Sequence, residues 1–313
     1  MDKEPILKVE NLELSFSQYT QGLKKKELTV ITNLDLELRE REILAVVGSS
    51  GSGKSLLAHA ILGILPYNAK TGGKILYQGK VIDQKEKERL RGQDIVLIPQ
   101  SVNYLDPLLK VKDQIAISLK GKSKADKEKI IDELLIRYGL DLSVKEYYPF
   151  QLSGGMARKV LLATALISSA KVIIADEPTP GLDEASLQEV LKDFRSISDS
   201  GKAILMITHD INAALKIADK IAIFYAGATL EIAETEDFKE SGKGLRHPYT
   251  LALCKALPGE KFEPIEGTQP LPNELPDGCL FSDRCSRCTD ECKKKRPDYQ
   301  EIRGGKVRCI HAT

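Results

Sequence analysis

The segment from Gly48 to Ser55 constrains the fold of this chain more than any other part of its sequence. Five apolar residues, Ile43 to Val47, precede it, and helix-forming residues from Ser55 to Leu65 follow it until Pro66. A strand, a glycine-rich loop of the form GxxxxGK[ST] and a helix form a phosphate-binding unit. The sequence therefore predicts an α/β fold with a nucleotide site at this loop. The loop consists of Gly48, Ser49, Ser50, Gly51, Ser52, Gly53, Lys54 and Ser55.

Each residue type in the loop has a physical reason. Glycines let successive backbone N–H groups converge on a β-phosphate, where the following helix adds the positive end of its dipole. Lys54 supplies a positive charge to the β- and γ-phosphates, and the Ser55 hydroxyl can ligate Mg²⁺. All the fixed positions of the motif are present, which favours phosphate binding over a glycine-rich turn that matches by chance.

Composition narrows the class of protein. The chain has 313 residues, with 46 basic and 45 acidic side chains and a net charge of +1. This length suits one large α/β domain and a smaller unit, and the charge balance argues against a dedicated nucleic-acid surface. The first residues do not form a secretory signal, and no run of about eighteen apolar residues occurs. We therefore expect a cytoplasmic chain that crosses no membrane.

Alternating and apolar runs predict the other elements of the domain. Residues 105–166 have a mostly helical pattern, which predicts a helical insertion in the α/β core. The predicted strands are an edge strand at Ile6 to Phe16, strands at Leu28 to Ile31, Leu34 to Leu38 and Ile95 to Ile98, and a hairpin at Gly72 to Gly79.

Polar residues follow two further apolar runs. Ile173 to Ala175 precede Asp176 and Glu177, and the run that begins at Ile204 ends in His209. Open parallel sheets place chemistry beyond the carboxyl ends of their strands. Asp176 suits Mg²⁺ coordination, Glu177 suits polarisation of an attacking water, and His209 suits sensing of the γ-phosphate.

With these residues assigned, the chain resembles the nucleotide-binding subunits of ABC transporters over nearly its whole length. The resemblance implies a mixed-sheet ATPase core with an antiparallel β subdomain and a helical subdomain. It also makes Gln100 the Q-loop glutamine, with a role at Mg²⁺ and in catalysis, and Phe16 the aromatic that stacks on adenine. The other family motifs are the signature at Leu152, Ser153, Gly154, Gly155 and Met156, Walker B at Val172 to Asp176 with Glu177 as catalytic carboxylate, the D-loop at Gly181 to Asp183, and the switch His209.

The signature implies a dimer. In this family, the residues that match Ser153 and Gly154 clamp the γ-phosphate bound to the opposite subunit, at the start of a helix. Met156 replaces the commoner glutamine, and Arg158-Lys159 follow where many members have Gln-Arg. In having methionine at this position, the chain is similar to the peptide and nickel importers of the family.

The C-terminal quarter strengthens that similarity. His247-Pro248-Tyr249-Thr250 resembles the segment that marks the C-terminal extension of oligopeptide, dipeptide and nickel importer ATPases. We therefore predict an ATPase domain at residues 1–240 and an extension at 241–313. The resemblance implies an ATPase on the cytoplasmic side of the membrane. Its implied partners are two transmembrane permease subunits, a second related ATPase and, indirectly, an extracellular substrate-binding protein.

Five of the six cysteines lie between Cys279 and Cys309. In a reducing compartment such clustering suggests metal rather than disulfides. Thiolates at these spacings can converge on a [4Fe–4S] cluster or on tetrahedral zinc, and spacing alone does not separate the two. The resemblance favours a [4Fe–4S] cluster held by Cys279, Cys285, Cys292 and Cys309, whereas Cys288 is unexpected and Cys254 fits an apolar helix in the core.

Two other functions agree less well with the sequence. A soluble ABC-type ATPase that acts as a switch on ribosomes or DNA usually carries two cassettes or a long coiled coil, and neither occurs here. A catalytically silent partner is disfavoured because Lys54, Asp176, Glu177 and His209 are all present. The transported substrate, peptide or nickel, rests on the resemblance alone.

Overall fold

A computed structural model describes residues 4–19, 24–49, 51–257 and 263–313. These residues form ten α-helices and twelve β-strands. The strands are β1 Leu7–Tyr19, β2 Lys25–Leu38, β3 Ile43–Val47, β4 Ala69–Tyr77, β5 Lys80–Val81, β6 Ile95–Ile98, β7 Val172–Asp176, β8 Ala203–Thr208, β9 Lys220–Tyr225, β10 Ala228–Glu234, β11 Gln300–Ile302 and β12 Gly305–Val307. The helices are α1 Lys54–Leu62, α2 Gln84–Leu90, α3 Val111–Ile117, α4 Lys124–Arg137, α5 Gly154–Leu166, α6 Glu184–Asp199, α7 Ile211–Ile217, α8 Lys239–Gly242, α9 Pro248–Lys255 and α10 Asp290–Lys294.

The sheet is mixed. Its order is β5-β4-β1-β2-β10-β9-β3-β8-β7-β6. The run from β9 through β3, β8 and β7 to β6 is parallel. By contrast, β1 pairs antiparallel with both β2 and β4. The prediction of a mixed ATPase sheet with an antiparallel β subdomain is confirmed.

The central strand β3 is buried on both faces, as its unbroken apolar run predicts. Ile43, Ala45 and Val47 pack in one apolar cluster together with residues of α6 and α7. Leu44 and Val46 pack in a second cluster together with residues of α1. Helices α3, α4 and α5 share a third cluster of their own, which confirms the predicted helical insertion.

Three details of the sequence prediction are wrong. The strand predicted at the edge, β1, lies inside the sheet because β4 pairs with its other side. The two strands predicted between Leu28 and Leu38 form the single strand β2, since its pairing with β1 continues past the polar residues Thr32 and Asn33. Helix α1 ends before Pro66, because Gly63 adopts a left-handed conformation at its C-cap (φ 65°).

The register of the parallel strands positions the site. Val47, the last residue of β3, pairs with Thr208 of β8, and Asp176 of β7 pairs with Ile207 of β8. The chain therefore leaves β3, β7 and β8 at one edge of the sheet. This arrangement brings together the phosphate loop and the two predicted polar strand ends.

The C-terminal segment packs on the same sheet. Strand β12 pairs with β10, and an aromatic cluster joins Tyr225 of β9 to Tyr249 of α9 and to Phe281, with ring centroids 4.5 and 5.6 Å from Tyr225. Cys254 is buried in α9, as predicted. Among the described residues, the helices are too short or too polar to cross a bilayer.

Candidate nucleotide site

The phosphate loop is built on glycines that no other residue replaces without strain. A side chain at Gly48 would approach within 2.4 Å of the Phe224 carbonyl oxygen on β9. Gly51 and Gly53 have φ values of 75° and 95°, in the left-handed region that side chains disfavour. The loop therefore turns tightly from β3 into α1, as the motif predicts.

Lys54 is buried and its ammonium is held by the loop itself. Its Nζ donates hydrogen bonds to the carbonyl oxygens of Gly48 at 2.9 Å and Ser49 at 2.7 Å. Burial lowers the pKa of Lys54, and the nearby carboxylates of Glu177 and Asp176 oppose that effect. The cation is thus fixed at the mouth of the loop, where phosphates would bind.

Two oxygen donors meet where the sequence predicts Mg²⁺. The Ser55 hydroxyl donates to Asp176 Oδ1 at 3.1 Å, and Asp176 is only 4% exposed. Burial raises the pKa of Asp176, while the hydrogen bond from Ser55 opposes the shift. A hydroxyl and a carboxylate side by side fit a hard, oxygen-preferring cation such as Mg²⁺.

Glu177 lies directly beyond β7 in an unusual conformation. Its φ is 47°, a left-handed value that is costly outside glycine, and its N–H donates to the Ile207 carbonyl at 2.8 Å. The Thr208 hydroxyl donates to Oε2 at 3.3 Å, and His209 Nδ1 lies 2.9 Å from Oε1. The structure therefore brings together Glu177 and His209, which the sequence placed only at two separate strand ends.

Arg158 joins the segments that follow two neighbouring strands, and the sequence predicts no role for it beyond a departure from the family pattern. Its buried guanidinium donates to the carbonyl oxygens of Pro99 at 2.6 Å, Gln100 at 3.0 Å and Pro178 at 3.2 Å. These hydrogen bonds hold the segment after β6, which contains Gln100, next to the segment after the adjacent strand β7, which ends at Asp176. Arg158 lies twenty residues before Pro178, and no local sequence pattern indicates that the two residues are in contact.

The signature residues are at the start of α5. Ser153 caps the helix, because its hydroxyl accepts a hydrogen bond from the N–H of Met156 at 3.2 Å. Ser153 and Gly154 are exposed, and a side chain at Gly154 would meet nothing within 4 Å. The exposed helix start leaves room for an anion that this subunit does not itself enclose.

The predicted roles of Ser50 and Ser52 in the phosphate loop and of Phe16 at the adenine remain predictions. Ser52 is buried and donates its hydroxyl hydrogen to the Ser49 carbonyl at 2.7 Å. Phe16 is half-buried in β1 and packs against the second apolar cluster. Ser50 lies outside the described residues.

The predicted metal ligands Cys279, Cys292 and Cys309 are buried, and Cys285 is half-buried. Burial raises the pKa of Cys279 to about 11, and the neighbouring thiols of Cys309, Cys285 and Cys292 raise it further. Thiols are the right donors for iron–sulfur or zinc chemistry. In the described part of the chain, however, no group of three or more His, Cys, Asp or Glu residues has an arrangement that could hold a metal ion. The donor type fits the predicted cluster, but the arrangement does not.

Comparisons with known proteins agree with this geometry. A family model described as "ABC transporter" matches residues 31–180, and one described as "Oligopeptide/dipeptide transporter, C-terminal region" matches residues 230–292. A dipeptide transport ATP-binding protein of Bacillus subtilis is 34% identical, over 94% of this chain and 90% of that protein. The chain belongs to the family of ABC transporter ATP-binding subunits.

Two further comparisons support the assignment of this ATP-binding subunit. An oligopeptide transport ATP-binding protein of Escherichia coli is 33% identical, over 97% of this chain and 92% of that protein. A dimeric ATP-binding cassette solved in a post-hydrolysis state with ADP and Pi is 25% identical, with a TM-score of 0.63, and the match covers 73% of this chain and 98% of that one. The ABC ATP-binding subunit is accordingly an ATPase with the cassette fold, as the sequence predicted.

Proposed function

We propose that this chain is the ATP-hydrolysing subunit of an importer of small peptides. One observation carries the proposal: a phosphate loop, an oxygen-donor pair at Ser55 and Asp176, and a paired Glu177 and His209 meet at one edge of the sheet. The names of the relatives, dipeptide and oligopeptide transport proteins, support peptides as the substrate class. Nickel, which the sequence left open, has no such support.

Each residue has a proposed role that follows from its chemistry. Lys54 and the loop amides bind the β- and γ-phosphates, while Ser55, Asp176 and Gln100 hold Mg²⁺. The ion, when bound, would neutralise charge that develops on the phosphates. Glu177 orients and polarises the attacking water, and His209, 2.9 Å from it, holds that carboxylate in place and faces the γ-phosphate.

The exposed signature supports a dimeric site. Because Ser153 and Gly154 open to solvent at the start of α5, the partner ATPase would supply this surface to the nucleotide bound here. We propose a second, related ATPase as that partner. Two transmembrane permease subunits would complete the transporter, with an extracellular binding protein delivering substrate, so this chain would sit peripherally at the cytoplasmic face of the membrane. Residues 241–313 form the proposed extension of the ATPase domain.

The role as a ribosome- or DNA-associated switch is not favoured. The two family models that match are both transporter descriptions, and they cover residues 31–180, which include the phosphate loop, Asp176 and Glu177, and residues 230–292. The chain also has a net charge of only +1, which gives little attraction to nucleic acid.

The phosphate site is tested by removing its cation. Lys54→Ala should weaken ATP binding to the full chain by more than roughly tenfold, since it removes a charged hydrogen-bond donor from the phosphates. Lys85→Ala, which removes an exposed lysine on α2, is the matched control and should bind ATP like the parent. Equal affinity of Lys54→Ala and the parent would refute the loop assignment.

The substrate class is tested in the assembled transporter. Uptake of labelled dipeptides and oligopeptides, measured in cells with the permeases and binding protein present, should depend on ATP and be lost in Lys54→Ala. Uptake of nickel with no uptake of either peptide class would overturn the peptide assignment and leave the ATPase intact.

A further inference from the structure

The phosphate loop has a hydrogen-bond partner from the distant C-terminal segment. The Ser49 hydroxyl donates to Oε1 of Gln269 at 2.9 Å, across 220 positions of sequence. Gln269 is the last residue of the segment 263–269, which we call the strap. The phosphate-loop motif does not include this part of the chain. The hydrogen bond therefore brings to the loop a side chain that the motif does not predict.

The strap is fixed by one arginine. Arg284, which directly precedes Cys285, donates from Nε to the Glu266 carbonyl at 2.7 Å and from Nη2 to the Ile265 carbonyl at 3.1 Å. Its Nη1 donates to the Tyr225 hydroxyl at 3.2 Å. A planar guanidinium with donors on several edges suits such a three-way junction, whereas a lysine ammonium does not.

The anchor of that arginine is itself rigid and close to the loop. Tyr225 is 1% exposed and packs against Tyr249 and Phe281. It follows Phe224, whose carbonyl oxygen is the atom that prevents a side chain at Gly48. The strap, its arginine and the base of the phosphate loop are therefore held against the same end of β9.

Ser49 is the residue through which the strap can act on the cation. Its carbonyl accepts hydrogen bonds from Lys54 Nζ at 2.7 Å and from the Ser52 hydroxyl at 2.7 Å, while its own hydroxyl contacts Gln269. A change in the orientation of Ser49 moves the carbonyl that holds Lys54. Gln269 thus contacts the residue that orients the main phosphate-binding charge.

We infer that Gln269 is a positioning residue of the nucleotide site, held by the strap, and that the C-terminal extension thereby sets the affinity of the phosphate loop for ATP. This inference rests on the proposed binding of ATP at the loop. It assigns to residues 263–269 and Arg284 a function in the ATPase reaction itself.

The test compares variants of the full chain in equilibrium ATP binding. Gln269→Ala should raise the dissociation constant roughly 2- to 10-fold, as expected for the loss of one neutral hydrogen bond. Thr268→Ala changes the adjacent, exposed residue of the strap and should bind ATP like the parent. Arg284→Ala should weaken binding at least as much as Gln269→Ala, and Arg284→Lys should not restore the affinity. In the assembled transporter, Gln269→Ala should raise KM for ATP and leave kcat within about twofold.

Two controls separate positioning from general damage. The thermal midpoint without nucleotide should be equal in Gln269→Ala and the parent, and a drop that accompanied the loss of affinity would overturn the inference. The variant Ser49→Ala/Gln269→Ala should bind ATP no more weakly than Ser49→Ala alone, because both changes remove the same contact. Full additivity would overturn it as well.

Failure of the inference and failure of the proposed site give different results. If Lys54→Ala weakens ATP binding and Gln269→Ala does not, the site is correct and the role of the strap is wrong. If neither change alters the affinity, nucleotide binding at the loop is refuted, and the inference fails with it.

Discussion

Glu177 and His209 face each other across the ends of two neighbouring strands, with Glu177 Oε1 2.9 Å from His209 Nδ1. The carboxylate side chain is 7% exposed and the imidazole is 52% exposed, so the histidine covers the acid on its open side. The register that pairs Asp176 with Ile207 places the two residues together. A buried carboxylate with a defined partner is suited to orient one water molecule for attack.

The first prediction concerns that carboxylate. Glu177→Gln should retain ATP binding but lower the steady-state hydrolysis rate of the assembled transporter by about two to four orders of magnitude, the range for loss of a general base. Glu236→Gln removes an exposed carboxylate far along the chain and should hydrolyse ATP at the parental rate. Unchanged turnover in Glu177→Gln would exclude it as the catalytic base.

The chemistry of the site could be predicted from sequence because it sits at strand ends. The strands before Gly48 and Pro99 have the predicted bounds, Ile43–Val47 and Ile95–Ile98, since each is an apolar run flanked by polar or turn-forming residues. Parallel strands then bring their carboxyl ends to one edge. The motif and this rule together are sufficient to predict that Lys54, Asp176 and Glu177 lie in one site.

Other contacts depend on tertiary packing that local patterns do not encode. The Ser49 to Gln269 hydrogen bond and the three hydrogen bonds of Arg158 join residues far apart in sequence. The apolar pattern predicts two strands in place of β2 because Thr32 and Asn33 interrupt it, yet the N–H of Thr32 donates to the Gly227 carbonyl at 2.8 Å and the strand continues. Partners from distant segments overrule local propensity here.

The second prediction concerns the junction between the C-terminal segment and the sheet. Arg246 and Glu231 form an ion pair with both side chains fully buried, and Arg246 also donates to the main-chain carbonyls of Ile302 and Arg303. Arg246→Met should lower the free energy of unfolding by about 3–5 kcal/mol, because it leaves a buried carboxylate without its cation. Denaturant titration of the full chain measures this change.

A surface change provides the comparison for Arg246. Lys243→Met breaks an exposed pair with Glu240 three residues earlier, and such pairs contribute at most about 1 kcal/mol. A loss in Arg246→Met no larger than that in Lys243→Met would show that the buried pair does not stabilise the junction.

The third prediction concerns the cysteines. The sequence prediction of one cubane cluster requires protein purified without oxygen to be brown, with about four irons and four sulfides per chain, whereas the arrangement of the thiols in the structure predicts protein without a metal. Colourless protein with one zinc would favour the alternative. Metal and sulfide analysis of the parent and of Cys292→Ser distinguishes these cases, and Cys254→Ser, which changes the cysteine in α9, is the matched control. Absence of both metals from the parent would refute the sequence prediction.

The fourth prediction concerns acid stability and a buried histidine. His247 is 1% exposed, its Nδ1 accepts a hydrogen bond from the N–H of Tyr249 at 3.0 Å, and burial lowers its pKa to about 3. Between that value and the ordinary pKa of about 6.5, the unfolded chain binds a proton that the folded chain does not, so stability falls as pH falls. The free energy of unfolding should lose up to about 1.4 kcal/mol per pH unit through this group.

His247→Asn keeps an acceptor at the helix N-cap without a titrating ring, so it should reduce the slope between pH 6 and pH 4 by that amount, as measured by denaturant titration at each pH. A parental slope in His247→Asn would contradict a buried, neutral His247.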